Sequence, residues 1–318
     1  MIEWVLPAAV LLAFMNGAND NMKGVATLYG SGSLSYRSAL AMATVTTALG
    51  SLLSVAIGTG LLRAFSAKGI IPDELLSPVV LTAVALGAAL TLVLATRLGF
   101  PISTTHALVG ALAGGGWAAA GSQLDLSALA AIFLLPLLVS PLIAIALACG
   151  ISRVSERGAP AGEEPATPRS VAVGHLVSAG AVGFARGLND TPKILGLVVG
   201  AGVASVVPAA VLVTVAMALG GIVASRRVIR TLAKRITPMS PRQGFSANVA
   251  TSMIVIGASR LGLPVSTTHV STGGIFGIGM PSRGLRWGVA GSVVGAWVLT
   301  LPIAAALGAL FLQVLAAR

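Results

Sequence analysis

Long apolar runs separated by short polar stretches recur along the whole chain. Ser38–Leu62, Pro78–Thr96, Ser127–Gly150, Val203–Ala224 and Gly288–Leu312 are the clearest. Each is close to the roughly 20 residues that carry an α-helix across a bilayer. None shows the short alternating segments of a membrane β-barrel. The pattern predicts an all-α, polytopic membrane protein. Ser152–Ser170 (SRVSERGAPAGEEPATPRS) breaks it, being rich in Pro, Gly, Ala and charge and lacking a hydrophobic period. The organisation predicted is a first transmembrane repeat over 1–151, a cytoplasmic linker over 152–170 and a second repeat over 171–318.

The two sides of that linker repeat each other. Asn16-Gly17-Ala18-Asn19-Asp20-Asn21-Met22-Lys23 matches Arg186-Gly187-Leu188-Asn189-Asp190-Thr191-Pro192-Lys193. Arg97-Leu98-Gly99-Phe100-Pro101-Ile102-Ser103-Thr104-Thr105-His106 matches Arg260-Leu261-Gly262-Leu263-Pro264-Val265-Ser266-Thr267-Thr268-His269. Both motifs come in the same order at similar separation. Resemblance among apolar helices does not reproduce Asn-Asp-x-x-Lys and Pro-x-Ser-Thr-Thr-His twice, so the chain is read as an internal duplication.

Composition agrees: of 318 residues, 56% are hydrophobic and only 9% charged, against about 25% in soluble domains. The formal net charge of +11 lies mostly in loops, where the positive-inside rule accounts for it without nucleic acid. If each half crosses about five times, the halves are inverted relative to each other. A cytoplasmic linker then puts Arg226, Arg227, Arg230, Lys234, Arg235, Arg242, Arg283, Arg286, Arg37 and Arg97 inside. The loops Arg63–Glu74 and Gly121–Ser127 and both termini fall outside, with Arg260 the basic residue that does not conform. Met1-Ile2-Glu3-Trp4 lacks the basic start of a cleaved signal, so the first apolar segment is expected to stay. Cys149 is the single cysteine, which excludes an intramolecular disulfide. Compact length and short loops suggest a multi-pass protein of a prokaryotic inner membrane.

A Pro followed by Ser or Thr marks a helix start. The free N–H groups and the dipole there suit an anion, and Ser103, Thr104 and Thr105 with Ser266, Thr267 and Thr268 add uncharged donors. Two such starts facing each other would form a neutral cage for a tetrahedral oxyanion. The plainer reading is that these hydroxyls cap helices or bond to backbone. Asp20 and Asp190 are costly at membrane depth, roughly 2.5–3.5 kcal/mol on insertion scales. Lys23 and Lys193 lie about one helical turn on and are their natural partners. These are either structural ion pairs or sites where Asp20 and Asp190, with Asn19 and Asn189, meet a coupling cation or proton. Pro192 is expected to interrupt its helix, and Gly17, Gly24 and Gly187 to ease an unwound stretch there. His106 and His269 are read as neutral rings bonded to backbone, without the Cys or Glu neighbours of a metal site. Gly114-Gly115-Gly116 and Gly273-Gly274 read as close helix packing, and Trp4, Trp117, Trp287 and Trp297 as interface or packing residues. No Walker-type sequence is present.

These residues resemble the inorganic phosphate transporter family, which carries a Gly-Ala-Asn-Asp signature and a following Pro-x-Ser-Thr-Thr-His segment in each half. The resemblance covers essentially the whole chain outside the linker. It implies an inverted-repeat carrier, often a homodimer in the lipid bilayer, that moves phosphate with sodium or protons; some members carry sulfate. By matching position it implies that Asn19, Asp20, Asn189, Asp190 and both Ser-Thr-Thr triplets line the substrate and ion sites. The chain departs where the family usually has a second Asn: Lys23 and Lys193 stand there, Met22 and Pro192 replace the Ala, and the second copy reads Gly-Leu-Asn-Asp. An ammonium beside each Asp points to weaker sodium dependence and to proton coupling.

The expected function is therefore cation-coupled phosphate symport by alternating access, with no cofactor beyond Na+ or H+ and no enzymatic step. Phosphate is favoured if a carboxylate reaches it, because phosphate retains protons and sulfate does not. A sulfate or other oxyanion permease is the nearest alternative, and an anion channel the alternative of another class. A hydrolase using the two Asp residues is a third, with nothing further to support it.

Overall fold

The structure is a computed structural model that describes residues 2–157, 168–202 and 206–317. Regular structure among them is helical, apart from one isolated bridge between Lys68 and Ile71. The first half runs α1 (Val5–Asp20), α2 (Ala26–Gly30), α3 (Tyr36–Ile57), α4 (Thr59–Ala64), α5 (Pro78–Leu98), α6 (Thr104–Ala120) and α7 (Leu126–Leu129). A π turn over Ala130–Leu134 joins α7 to α8 (Leu135–Arg157). The second half runs α9 (Arg169–Gly200), α10 (Val206–Ala224), α11 (Arg226–Arg230), α12 (Pro241–Arg260), α13 (Thr267–Gly279) and α14 (Trp287–Ala316).

Among the described residues, 6 helices are long and apolar enough to cross a membrane: α3, α5, α7 continuing into α8, α9, α10 and α14. The expected five crossings per half thus come to three such helices in each. Of the elements that carry or flank the motifs, α1, α6, α12 and α13 are shorter or more polar, whereas α9 is among the six. Helix starts follow local signals. Ser77 caps α5 ahead of Pro78, and Ser240 with Gln243 forms a capping box ahead of α12. Gly99 ends α5 in the left-handed conformation at φ 77°, which glycine adopts without a Cβ clash.

Packing between the halves is crosswise. The motif helix α1 packs on α10 of the second half, and its counterpart α9 packs on α3 of the first. Likewise α6 packs on α14, and α13 on α8. The motif glycines permit this approach. A Cβ on Gly17 would sit 1.9 Å from the Met217 carbonyl oxygen, and one on Gly187 would sit 2.0 Å from that of Thr47. Gly17 and Gly187 do not unwind a helix, contrary to expectation: both lie inside continuous helix, and their missing side chains let backbones touch, whereas Gly24 lies in a turn stretch as expected. Gly114 and Gly273 serve the same end against Ala305 and Pro141.

Pro192 also departs from expectation. It lies within α9, which runs unbroken from Arg169 to Gly200. Membrane helices tolerate an internal proline where neighbouring helices hold them, and α9 is flanked by α3, α10 and α12. The break occurs at the other copy, which has no proline. There α1 stops at Asp20, and Asn21–Val25 form turns before α2. Asn21 holds that turn, donating to Thr44 Oγ1 at 3.0 Å and accepting from Arg186 at 3.3 Å.

The predicted linker is partly helical. Ser152–Arg157 continue α8, and α9 begins at Arg169. Glu156 accepts from Gln243 at 3.0 Å, tying the end of α8 to the start of α12. Residues 158–167 lie outside the described residues, as do 203–205 at the head of the apolar run Val203–Ala224. Loops assigned to one side by charge do meet. Asp125 N–H donates to the Ile70 carbonyl at 2.9 Å, linking the two acid-containing loops. On the basic side Arg226 stacks over Tyr36, Lys234 over Tyr29, and Arg227 donates to the Arg97 carbonyl at 2.7 Å.

Candidate functional site

The four motif copies converge on one buried polar cluster. Asp20, Lys23, Arg186, Asp190 and Lys193 are all buried, together with both Ser-Thr-Thr triplets. Serines 103 and 266 are the N-caps of α6 and α13. Their hydroxyls accept from the His106 and His269 N–H groups at 3.0 and 3.1 Å. This fixes each helix start and turns the two threonines of each triplet toward the carboxylates and ammonium groups.

The contacts repeat with two-fold regularity. Lys23 donates to Asp20 Oδ1, to Thr268 Oγ1 and, at 3.4 Å, to the Ile102 carbonyl. Lys193 donates to Asp190 Oδ1 at 3.3 Å, to Thr105 Oγ1 at 2.7 Å, to the Val265 carbonyl at 2.8 Å and to Asn189 Oδ1. Each lysine therefore reaches a threonine of the opposite half. Each of those threonines passes its own proton on across the halves: Thr268 donates to the Ile102 carbonyl at 2.7 Å, Thr105 to the Val265 carbonyl at 3.4 Å. The remaining pair faces the carboxylates, Thr104 donating to Asp20 Oδ2 at 3.1 Å and Thr267 to Asp190 Oδ2 at 3.4 Å.

Asn19 and Asn189 differ in use. Asn19 donates to Thr96 and to the Phe100 carbonyl, both at 3.0 Å, and accepts from Ile102 N–H at 3.1 Å, which pins the α5–α6 turn to α1. Asn189 donates to Ser259 at 2.8 Å and turns its oxygen to Lys193. His106 and His269 pack against each other at a tilt of 49° with ring centroids 4.2 Å apart, and His269 stacks on Trp297 at 4.0 Å. They form an aromatic floor under the two helix starts, and Trp297 donates to the Pro101 carbonyl at 3.0 Å.

Two further residues of the cluster were not among the candidates drawn from the sequence. Asn16 Nδ2 lies 3.2 Å from Oδ2 of both Asp20 and Asp190, and 2.8 Å from Thr104 Oγ1. Arg186 donates to the Asn16 side chain and backbone carbonyl and to Thr47, and its Nε is 3.7 Å from Asp190 Oδ2. They occupy the same position in the two repeats, and their mismatch is the signal that marks them. Three basic side chains face two carboxyls, so the cluster has one formal positive charge in excess. Burial in a medium of low dielectric makes that charge a strong attractor for an anion. Hydroxyls, an amide, a guanidinium and two helix N-termini meet in one buried cluster.

Comparison with known proteins agrees with this chemistry. The profile described as "Phosphate transporter family" matches residues 16–159 and 151–308. A protein of Mycobacterium tuberculosis, named a probable low-affinity inorganic phosphate transporter, is 33% identical over 318 residues, covering 96% of this chain and 75% of its own length. Proteins of the same name from Rhizobium meliloti and Bacillus subtilis are 32% and 30% identical; they cover 98% and 96% of this chain and 95% and 94% of their own lengths. A solved structure titled "The sodium-dependent phosphate transporter" shares the fold, with a TM-score of 0.84 and 23% identity over 99% of both chains.

Proposed function

This chain belongs to the phosphate transporter family, and on that premise we propose that it is a carrier that moves inorganic phosphate across the membrane by cation-coupled symport. The observation that supports phosphate is the convergence of Asp20 Oδ2 and Asp190 Oδ2 on the single amide of Asn16. The Oδ1 of each carboxylate is engaged by its lysine, whereas each Oδ2 accepts hydrogen bonds only from a threonine hydroxyl of its own and from the shared Asn16 amide. A phosphate P–OH group donates to such a pair, because phosphate near neutral pH keeps a proton. Sulfate has no proton to donate. The excess positive charge offsets the substrate's own charge, and Thr104 and Thr267 are placed to turn their donors to its oxygens.

Burial supports a carrier over a channel. Asp20 and Asp190 are 0% and 1% exposed, so a substrate reaches them only after a conformational change, which is the requirement of alternating access. The crosswise contacts of α1 with α10 and α9 with α3 support two inverted repeats related by an axis through the cluster. We place the protein in a cell inner membrane as a homodimer with the linker cytoplasmic; its mass in mild detergent checks the dimer.

Uptake of labelled phosphate into proteoliposomes tests the substrate. The expected result is accumulation above the external concentration that unlabelled sulfate does not compete away. Competition by sulfate together with uptake of labelled sulfate would assign the cluster to that oxyanion. Rapid equilibration without accumulation under any cation gradient would assign it to a channel.

A further inference from the structure

The surroundings of the two lysine ammonium groups are those of an alkali cation. Lys193 Nζ is held by a carboxylate, an amide oxygen, a hydroxyl and a backbone carbonyl, from Asp190, Asn189, Thr105 and Val265. Lys23 Nζ has the carboxylate of Asp20, the hydroxyl of Thr268 and the carbonyl of Ile102. Every partner is oxygen, and every partner side chain is buried. Ile102 and Val265 immediately precede the N-cap serines, so their carbonyls lie outside the helical ladder, as cation-binding carbonyls in broken transporter helices do. Carboxylate, hydroxyl and carbonyl recur in both copies, each set built from one half and completed by a threonine of the other, and Asn189 adds a fourth oxygen at Lys193.

An ammonium ion is a single positive charge with three donors, one for each oxygen at Lys23 and three shared among the four at Lys193, and it faces these oxygens much as a bound sodium ion would. The two differ in that the ammonium is tethered. A sodium ion brought into the same oxygens would lie within contact distance of a fixed like charge, which a low-dielectric interior strongly disfavours. Sodium therefore does not fit these two positions while the lysines hold them.

We propose that Lys23 and Lys193 are built-in substitutes for sodium, so that this carrier neither requires sodium nor binds it at the two Asp residues. The proposal rests on reading the cluster as the transport site, and it leaves the proton as the ion available for coupling. The lysines then act on ion selectivity: they neutralise the carboxylates in both halves throughout the cycle, which a released cation does not.

The test reads sodium binding without phosphate, so that it stands apart from the identity of the substrate. Thermal unfolding of the detergent-purified full chain is compared in sodium and potassium chloride at equal ionic strength. The wild type is expected to unfold at the same temperature in both salts. Lys23→Asn and Lys193→Asn each remove the tethered charge and leave an oxygen donor, and each is expected to gain a sodium-specific rise of about 3 °C. Equilibrium binding of labelled sodium to the wild type gives the same answer if a variant does not fold, and no saturable binding is expected. Sodium-specific stabilisation or saturable sodium binding of the wild type would overturn the proposal. So would folded variants that do not distinguish sodium from potassium.

Discussion

The two copies of Asn-Asp-x-x-Lys reach the same chemistry by different backbones. In the first, α1 ends at Asp20 and a turn carries Lys23. In the second, α9 continues straight through Asp190, Pro192 and Lys193. Both lysines still find an Asp, a threonine of the opposite half and a carbonyl ahead of a serine cap. The cluster is thus set by crosswise packing of the two halves more than by the local path of either motif. The second contrast is electrostatic. Asp20 has one cationic partner, Lys23, whereas Asp190 has two, Lys193 and Arg186. The first copy offers the neutral Asn16 where the second has Arg186, and that exchange is the source of the cluster's excess positive charge.

The largest expected effect comes from removing the carboxylates. Asp190→Asn leaves two buried cations without their carboxylate and is expected to cost about 3–5 kcal/mol of stability, with transport abolished. Asp20→Asn leaves one and is expected to abolish transport at a smaller cost. Thermal unfolding alongside phosphate uptake checks both. Equal stability losses would show that the two copies are electrostatically equivalent after all, and normal coupled uptake in both variants would remove the carboxylates from the mechanism.

Making the copies alike at Arg186 is the next step down. Arg186→Asn removes the excess charge and is expected to raise the apparent phosphate constant roughly tenfold, as read from concentration-dependent uptake. An unchanged constant would confine Arg186 to bracing Asn16 and Thr47. Ser103→Ala and Ser266→Ala are each expected to cost about 1 kcal/mol, the usual value of a lost N-cap. Together they should raise the apparent substrate constant, because Thr104 and Thr267 lose their fixed orientation. Loss of stability with an unchanged constant would make the serines purely structural. The smallest effect is expected at Pro192. Because α9 is continuous, Pro192→Ala should shift stability by no more than about 1 kcal/mol and leave uptake intact. Loss of uptake would show that the proline marks a hinge.

Much of this was legible in the residues. The apolar runs gave the class, and the doubled motifs gave the duplication and the pairing of Asp20 with Lys23 and Asp190 with Lys193, because spacing of one turn is a local property. Pro192 and Gly17 misled for a common reason. Their local tendency is to break helices, but the effect that decides is the approach of another helix: Gly17 against Met217, and α9 held among α3, α10 and α12. Arg186 and Asn16 were visible as a mismatch between repeats. Their role depends on a contact between residues 170 positions apart in the chain, which no local pattern encodes. The threonines show the same limit. Their place at helix starts is local, but the pairing of Thr268 with Lys23 and Thr105 with Lys193 needs the crossed halves.

On the function proposed above, this is a phosphate carrier whose lysines stand where sodium would. The most direct measurement is uptake of labelled phosphate into proteoliposomes under separate sodium and proton gradients, with potassium replacing sodium at constant pH. Accumulation is expected to follow the proton gradient and to be unchanged when sodium is withdrawn. Accumulation that follows the sodium gradient and vanishes in potassium would contradict it.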